Sequence, residues 1–268
     1  MVIMNKKNVV KILLYISMVV FLFIFLLFLI MDVSIFKPSY VRKKLEKDNY
    51  YQIVYENIEK DFNNRLSKIN VSFDSLDLII NKDMIKEDVN DYIIGFYNNR
   101  SFVLHSVEIE ANLDLYINKY LSDNRIEVES RDIVTNCIDS MISDYEREVT
   151  GSHYLKKVSS NFLSIRNFSS IFLIVTIILI LSIYLILLFV YKVKPLGKVF
   201  MACSSLIILF EFYMQKKGLT IVISNDYLLK TYNNIYNDIL LKMIIVGLSL
   251  FVGGVIFFFF EKLFDKNK

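Results

Sequence analysis

The sequence contains few of the residue types that build catalytic and metal sites. Its 268 residues include two histidines and two cysteines, and it has no tryptophan. His105 and His153 do not form an HExxH pattern, and neither histidine lies beside a cysteine. The patterns GxSxG, GxxxxGK[ST] and GxGxxG are also absent. We therefore expect no enzymatic activity, no metal and no cofactor, and we interpret both histidines as surface or core residues.

Disulfide bonds and nucleic-acid binding are equally poorly supported. Cys137 lies in a polar part of the chain and Cys203 in an apolar run, so we do not expect them to pair. This excludes a domain built on a disulfide framework. The formal net charge is only +3, so the bulk charge gives no argument for a nucleic-acid partner.

Long apolar runs, in contrast, dominate the sequence, which is 54% hydrophobic. The four runs are Ile12–Met31, Ile171–Tyr191, Val199–Met214 and Met243–Phe260. A helix needs ~20 apolar residues to cross the hydrocarbon core of a bilayer. The first two runs meet this length, and the last two need flanking residues to complete the crossing. We predict four transmembrane helices, at residues 12–31, 167–191, 199–214 and 243–260.

The first run has the features of an uncleaved signal-anchor. Lys6, Lys7 and Lys11 precede it, and no small-x-small cleavage site follows Met31. Three short segments are rich in lysine, namely residues 1–11, 192–198 and 261–268. The positive-inside rule therefore predicts that both termini and the 192–198 loop are cytoplasmic. Residues 32–166 and the loop 215–242 are then extracytoplasmic.

Residues 32–166 are predicted to form a bundle of four or five helices, since strand signals are weak there. One helix is expected over Tyr40–Ile69, and a second is expected to start at the cap Asp83. The predicted inward faces are, for the second helix, Met84, Ile85, Val89, Tyr92, Ile93 and Phe96; for the third, Ile109, Leu113, Tyr116, Ile117, Tyr120 and Leu121; and for the fourth, Ile133, Cys137, Met141, Tyr145 and Val149. The fourth helix is expected to start near Ser130 and to end at Gly151, and a fifth to run from Tyr154 into the second span. The fold class is therefore all-α, with a helical domain inserted between the first two spans.

One acidic group in this domain occurs at helical spacing. Its members are Asp83, Glu87, Asp88 and Asp91. The group lacks the alternating ligands and central glycine of an EF-hand loop, so we interpret it as a solvated helix face.

The membrane half contains one acidic residue inside a span, Glu211. Ser204 and Glu211 share one face of the third span, which should point into the helix bundle. Lys242 opens the fourth span at a similar depth and has the opposite charge. We hypothesise a Glu211–Lys242 ion pair; the alternative is that each side chain extends separately to the membrane interface. Small residues expected at helix contacts are Gly247, Ser249, Gly253 and Gly254, together with Ser204.

The loop 215–242 has two features. Leu219–Ile223 is β-like, and Asn225 or Asp226 can cap an amphipathic helix that continues into the fourth span. We expect this helix to pack under the large domain.

Two resemblances add to this interpretation. The stretch Phe36-Lys37-Pro38-Ser39-Tyr40-Val41, followed by Asn49-Tyr50-Tyr51 and Val54-Tyr55, resembles uncharacterised four-span membrane proteins of clostridia-like, low-GC Gram-positive bacteria. The residue usage, rich in Ile, Lys, Asn and Tyr, also suggests such a bacterial source. That family implies no activity. The order of spans and loops is similar to permease subunits of cell-division and lipoprotein-export ABC systems, although residues 192–198 are short for a coupling helix.

These observations favour a non-enzymatic multi-pass protein of the cell membrane. We expect its partners to be the lipid bilayer and either a membrane or envelope protein or a second copy of the chain. The alternative is a permease-like subunit that works with an ATPase.

Overall fold

The computed structural model describes residues 6–72, 75–126, 130–218 and 226–266. Within these ranges the regular structure is entirely helical, as predicted, and no strand is present. The α-helices are α1 (Lys6–Asp32), α2 (Pro38–Lys47), α3 (Tyr50–Leu66), α4 (Lys82–Asn98), α5 (Ser106–Asp123), α6 (Arg131–Thr150), α7 (Ser152–Phe189), α8 (Leu196–Lys217) and α9 (Asp226–Lys266). Two short 3-10 helices cover Ser67–Ile69 and Leu76–Leu78.

Four of the described helices are long and apolar enough to cross a membrane. Their candidate spans are Lys6–Asp32, Phe162–Phe189, Leu196–Lys217 and Leu229–Leu263. Each predicted span coincides with one of these helices. The helices are longer than the apolar runs because polar residues on either side also adopt helical structure. The runs mark only the part of each helix that suits the hydrocarbon core.

The chain divides into two compact units. The first, here called the span unit, consists of Met1–Lys37, Ser164–Val222 and Tyr232–Lys268. The second, the bundle unit, consists of Pro38–Leu163 and Ile223–Thr231. Helix α9 starts at Asp226, as predicted, and is continuous with the fourth span. The β-like run Leu219–Ile223 lies outside the described residues.

The bundle unit has its own hydrophobic core. Helices α3, α4, α5 and α6 each contribute fully buried side chains, among them Phe62, Ile85, Ile117 and Met141. Tyr145 is also completely buried and is one of the largest side chains in this core. Removal of these side chains from water supplies the main stabilising term for the unit, at about 25 cal/mol per Å² of apolar surface.

The first helix of the bundle unit is interrupted, contrary to the prediction of one helix over Tyr40–Ile69. Asn49 has φ 56° and ψ 30°, which is the left-handed conformation. Asparagine tolerates this region better than most residues, and it breaks the backbone bonding between α2 and α3. The apolar spacing continues across the break, so periodicity alone did not reveal it.

The ends of α4 and α6 follow local capping chemistry. Asn81, rather than the predicted Asp83, caps α4 by accepting a hydrogen bond from the backbone N–H of Met84 at 2.8 Å. Ser130 caps α6, and Gly151 ends it with φ 55°, both as predicted. A left-handed residue after the last turn suits glycine because glycine has no Cβ.

The inward face of α6 differs from the predicted stripe at its start. Ile133 is 39% exposed, whereas Val134 and Ile138 are buried. The predicted stripe and the observed one share Met141, and both have helical spacing. The sequence pattern alone therefore did not distinguish them. The inward face predicted for α5 is confirmed at its centre, where Ile109, Leu113 and Ile117 are fully buried.

Candidate functional site

The most polar buried position of the bundle unit is Asp88, whose residue is 0% exposed. Helix α4 directs it inward because Asp88 lies between the buried Ile85 and Val89. The carboxylate accepts hydrogen bonds from two neighbours. The backbone N–H of His105 donates to Oδ2 at 3.0 Å, and the hydroxyl of Tyr145 also donates to Oδ2. The His105 ring contacts Oδ1 through Nδ1 at 2.5 Å.

This arrangement favours charged histidine and neutral tyrosine. The hydrogen bond to Asp88 raises the pKa of His105, and the charges of Asp88, Glu87 and Glu108 act in the same direction, although burial opposes them. Burial, followed by the bond to Asp88, raises the pKa of the Tyr145 hydroxyl above its usual range. The group therefore combines a buried carboxyl group, a partly exposed imidazole whose charged form is favoured, and a phenol that donates a hydrogen bond.

A histidine that bonds to a carboxylate through one nitrogen is also part of the Ser-His-Asp arrangement of hydrolases. Here the adjacent hydroxyl, that of Ser106, donates instead to Glu146 Oε1 at 2.8 Å. Ser106 is thus directed to a carboxylate and not to the imidazole. The bonds that are present hold the start of α5 against α4 and α6.

A surface groove adjoins this group. Its lining residues are Phe102, Val103, Leu104, Ser106, Ser143, Glu146, Arg147 and Thr150, and its volume is about 670 Å³. The segment before α5 forms one wall. Val103 in this wall is 83% exposed. Phe102 packs edge-on against Tyr92, with ring centroids 4.9 Å apart.

The opposite wall of the groove is fixed by a network of charges. Arg147 Nη1 lies 2.9 Å from Asp144 Oδ1, and Arg147 Nη2 lies 3.5 Å from Asp61 Oδ2. Arg65 Nε also bonds to the buried Asp144 and thereby joins α3 to α6. Arg147 is half-exposed, and its position between two carboxylates limits the directions in which its guanidinium can point.

Metal ligands are not grouped in the part of the chain that the structure describes. No set of three or more histidine, cysteine, aspartate or glutamate side chains there could hold a metal ion. The side chain of His153 lies outside the described part.

In the span unit, the structure places Lys242 differently from the predicted ion pair. Lys242 Nζ donates to Ser34 Oγ at 2.8 Å and lies 3.1 Å from Asp238 Oδ2, one turn earlier on α9. Glu211 is only 2% exposed, and its Oε1 has no hydrogen-bond partner among the described residues. Asp238 lies one turn from Lys242 on the same helix, so it can pair with the lysine without a residue from another helix.

Ser204 and Glu211 nevertheless both point into the span unit. Ser204 is 1% exposed, and its hydroxyl, like Glu211 Oε1, has no hydrogen-bond partner among the described residues. The polar face of the third span is therefore directed away from lipid at these two positions, which lie two turns apart on α8.

The small residues predicted at helix contacts divide into two groups. A Cβ added to Gly254 would lie 2.9 Å from the backbone nitrogen of Met201 and 3.0 Å from the carbonyl oxygen of Gly197. A Cβ on Gly247 would lie 3.1 Å from Ile208 Cγ1. The nearest atom to a Cβ on Gly253 would be 3.9 Å away, and Ser249 is exposed with its hydroxyl on the carbonyl of Ile245. Among the predicted small residues, Gly247 and Gly254 thus allow the close approach of α8 and α9.

Sequence reasoning did not identify the Asp88 group, and its interpretation of Asp88 as solvated is wrong. A signal was present, because Asp88 lies three residues after Ile85, on the apolar face of α4. An acidic residue on such a face needs a partner. The partners, His105 and Tyr145, lie 17 and 57 residues away in the sequence and are brought to it only by the fold. Gly197 was also missed, although a Cβ there would lie 2.7 Å from the backbone nitrogen of Phe258.

Comparison with known proteins gives no relative on which to base a family assignment. The chain matches no protein-family model, no curated protein and no solved structure.

Proposed function

We propose that this chain is a non-enzymatic multi-pass protein of the cell membrane whose bundle unit lies outside the cytoplasm and binds an envelope partner or a second copy of itself. The protein is then a scaffold or a sensor. Its four apolar helices are the membrane spans, and the groove of the bundle unit is the surface that contacts the partner.

The orientation is supported by the distribution of lysine. Lysines are concentrated immediately before the first span, between the second and third spans, and immediately after the fourth span. Lysine-rich segments next to membrane spans are retained in the cytoplasm. The second and third spans are joined by only six residues, 190–195. From a cytoplasmic start, the first crossing takes the chain outside and the second returns it, so the segment between the first two spans is extracytoplasmic in this proposal.

The observation that carries the binding function is the apolar segment at the groove. Val103 exposes 83% of its surface and Phe102 exposes 38%. Such exposure costs about 25 cal/mol per Å² compared with burial. The segment is also held in place, because the backbone N–H and the ring of His105 both bond to Asp88. An ordered apolar surface with a polar rim, here Ser143, Glu146 and Arg147, is typical of a protein-binding site.

The hydrogen bonds in the bundle unit support a binding function better than a catalytic one. The hydroxyl nearest to the Asp88–His105 pair along the chain, that of Ser106, is bonded to Glu146. Asp88 itself is buried behind the segment that it holds. These bonds give the residues a positioning role in a contact surface.

Photo-crosslinking from the groove tests this proposal. A photoreactive phenylalanine analogue at Val103 should form a discrete crosslinked species in intact membranes, identifiable by mass spectrometry. Leu78 provides the matched control, since it is 65% exposed, apolar and in the same unit, yet does not line the groove. The same analogue at Leu78 should give no such species.

The identity of the product separates the possible functions. A product of the chain with itself, or with an envelope protein, supports the proposal. An ATPase subunit recovered instead would favour the permease-like alternative. Equal, heterogeneous crosslinking from Val103 and Leu78 would contradict a specific contact surface at the groove.

A further inference from the structure

A second groove lies within the span unit, between α1 and α8. Its volume is about 550 Å³. Tyr15, Ile16, Val19 and Val20 line it from α1, and Lys198, Val199, Ala202, Ser205 and Leu206 line it from α8. Both sets recur at intervals of three to four residues, so the groove follows the two helix axes. It is therefore elongated along the direction in which a lipid chain lies.

The interior of this groove has almost no polar character. Its one hydroxyl from α8, that of Ser205, is already bonded to the carbonyl of Met201 at 3.0 Å. Ala202 leaves room at the centre because its side chain is a single methyl group. Farther along the helices the groove closes, where the rings of Phe23 and Phe210 meet edge-on with centroids 5.7 Å apart. An apolar occupant can thus enter only from the exposed side or from the end near Lys198.

That end is positively charged. Lys198 is exposed, and its Nζ has no acidic partner within 4 Å among the described residues. Lys11 lies one turn before Tyr15 on the same face of α1. Among the described side chains, Glu261 is an acidic residue near this end, and its Oε1 accepts a bond from the backbone N–H of Gly197 at 3.4 Å. A site with a basic end and an apolar body matches an amphipathic anion.

We propose that this groove binds one acyl chain of an anionic phospholipid, with the headgroup phosphate at Lys198. The bilayer that surrounds the spans contains such lipids, and basic positions between transmembrane helices bind their headgroups. Zwitterionic lipids have the same acyl chains but no net negative charge, so the charge of Lys198 favours anionic lipids over zwitterionic ones. This inference depends on the four helices spanning a membrane and not on the side on which the bundle unit lies.

Native mass spectrometry of the full-length protein in detergent tests the site. Dioleoylphosphatidylglycerol and dioleoylphosphatidylcholine, which share acyl chains, are titrated separately. We expect phosphatidylglycerol to bind more tightly and to saturate with one high-affinity molecule per chain. Lys198→Gln should weaken that binding roughly fivefold, the effect of one lysine near an anionic headgroup. The matched control is Lys216→Gln, an exposed lysine at the other end of α8, which should leave the binding unchanged.

The acyl part of the site needs its own variant. Ala202→Phe fills the groove and should abolish the high-affinity molecule, whereas Leu209→Phe, at a 65% exposed position of the same helix outside the groove, should not. Each variant is accepted only if it elutes as the wild type does on size exclusion. Equal affinity for the two lipids, equal losses in the two lysine variants, or unchanged binding in Ala202→Phe would each overturn the proposal.

Discussion

The backbone N–H and the ring Nδ1 of His105 bond to the two oxygens of one carboxylate, that of Asp88, at 3.0 and 2.5 Å. One buried side chain therefore positions the start of α5 and raises the pKa of the His105 ring that precedes it. The exposed segment before α5 therefore takes its position from a carboxylate that is itself hidden from solvent.

The first prediction concerns pH. The bond to Asp88 raises the pKa of His105 in the folded protein above its unfolded value. The resulting stabilisation is complete below the unfolded pKa of about 6.5 and is lost as the pH rises through the folded pKa. Thermal unfolding followed by circular dichroism should thus show a midpoint that falls as the pH rises above about 6.5. His105→Asn keeps a donor but does not titrate, and it should flatten this dependence. An unchanged slope in His105→Asn would assign the pH effect to other groups.

The second prediction concerns Asp88 itself. Asp88→Ala removes the acceptor for His105 and Tyr145 and leaves the buried Tyr145 hydroxyl without this partner, which should cost about 1–3 kcal/mol of unfolding free energy. Asp91→Ala is the control, because Asp91 lies on the same helix and is exposed. Its effect should stay within about 0.5 kcal/mol. Denaturant titration compares the two variants, and equal losses of stability would show that Asp88 does not anchor the start of α5.

A third prediction concerns the contact between α8 and α9. A Cβ at Gly254 would meet backbone atoms of Gly197 and Met201, which cannot move independently of their helix. Gly254→Ala should therefore destabilise the protein by about 1–3 kcal/mol, the usual cost of overpacking. Gly253→Ala has space, with its nearest neighbour 3.9 Å away, and should be neutral or slightly stabilising. Thermal stability in detergent distinguishes the adjacent glycines, and the reverse order would contradict the packing.

The fourth prediction concerns Asn49, which links α2 to α3 in the left-handed conformation at φ 56°. Asn49→Gly should be tolerated, since glycine adopts this conformation readily. Asn49→Val should cost about 1–2 kcal/mol because its branched Cβ crowds the following carbonyl. Unfolding midpoints of the two variants test the difference. Equal midpoints would indicate that the two helices are joined in another conformation.

The sequence predicted the parts of this fold that depend on local patterns. The spans follow from long apolar runs, the inward face of α5 from the spacing of Ile109, Leu113 and Ile117, and the end of α6 from Gly151. These features need only neighbouring residues. Leu219–Ile223 and the side chain of His153 lie outside the described residues, and the predictions for them stay predictions.

What the sequence could not predict depends on residues that are distant along the chain. The pairing of Asp88 with His105 and Tyr145 requires α4, α5 and α6 to be packed. Lys242 has an acidic residue four positions away, Asp238, and a predicted partner in another helix, Glu211. The sequence alone did not show which of these two acidic residues contacts Lys242. In the described structure Lys242 contacts Asp238 and Ser34.

The central claim, that the bundle unit lies outside the cytoplasm, is tested most directly by cysteine labelling in intact cells. With Cys137 and Cys203 replaced by alanine, single cysteines are introduced at Val103 and at Lys194, both exposed positions. A membrane-impermeant maleimide should label the cysteine at 103 in intact cells and the cysteine at 194 only after permeabilisation. Labelling of the cysteine at 194 in intact cells, with protection of the cysteine at 103, would contradict the account.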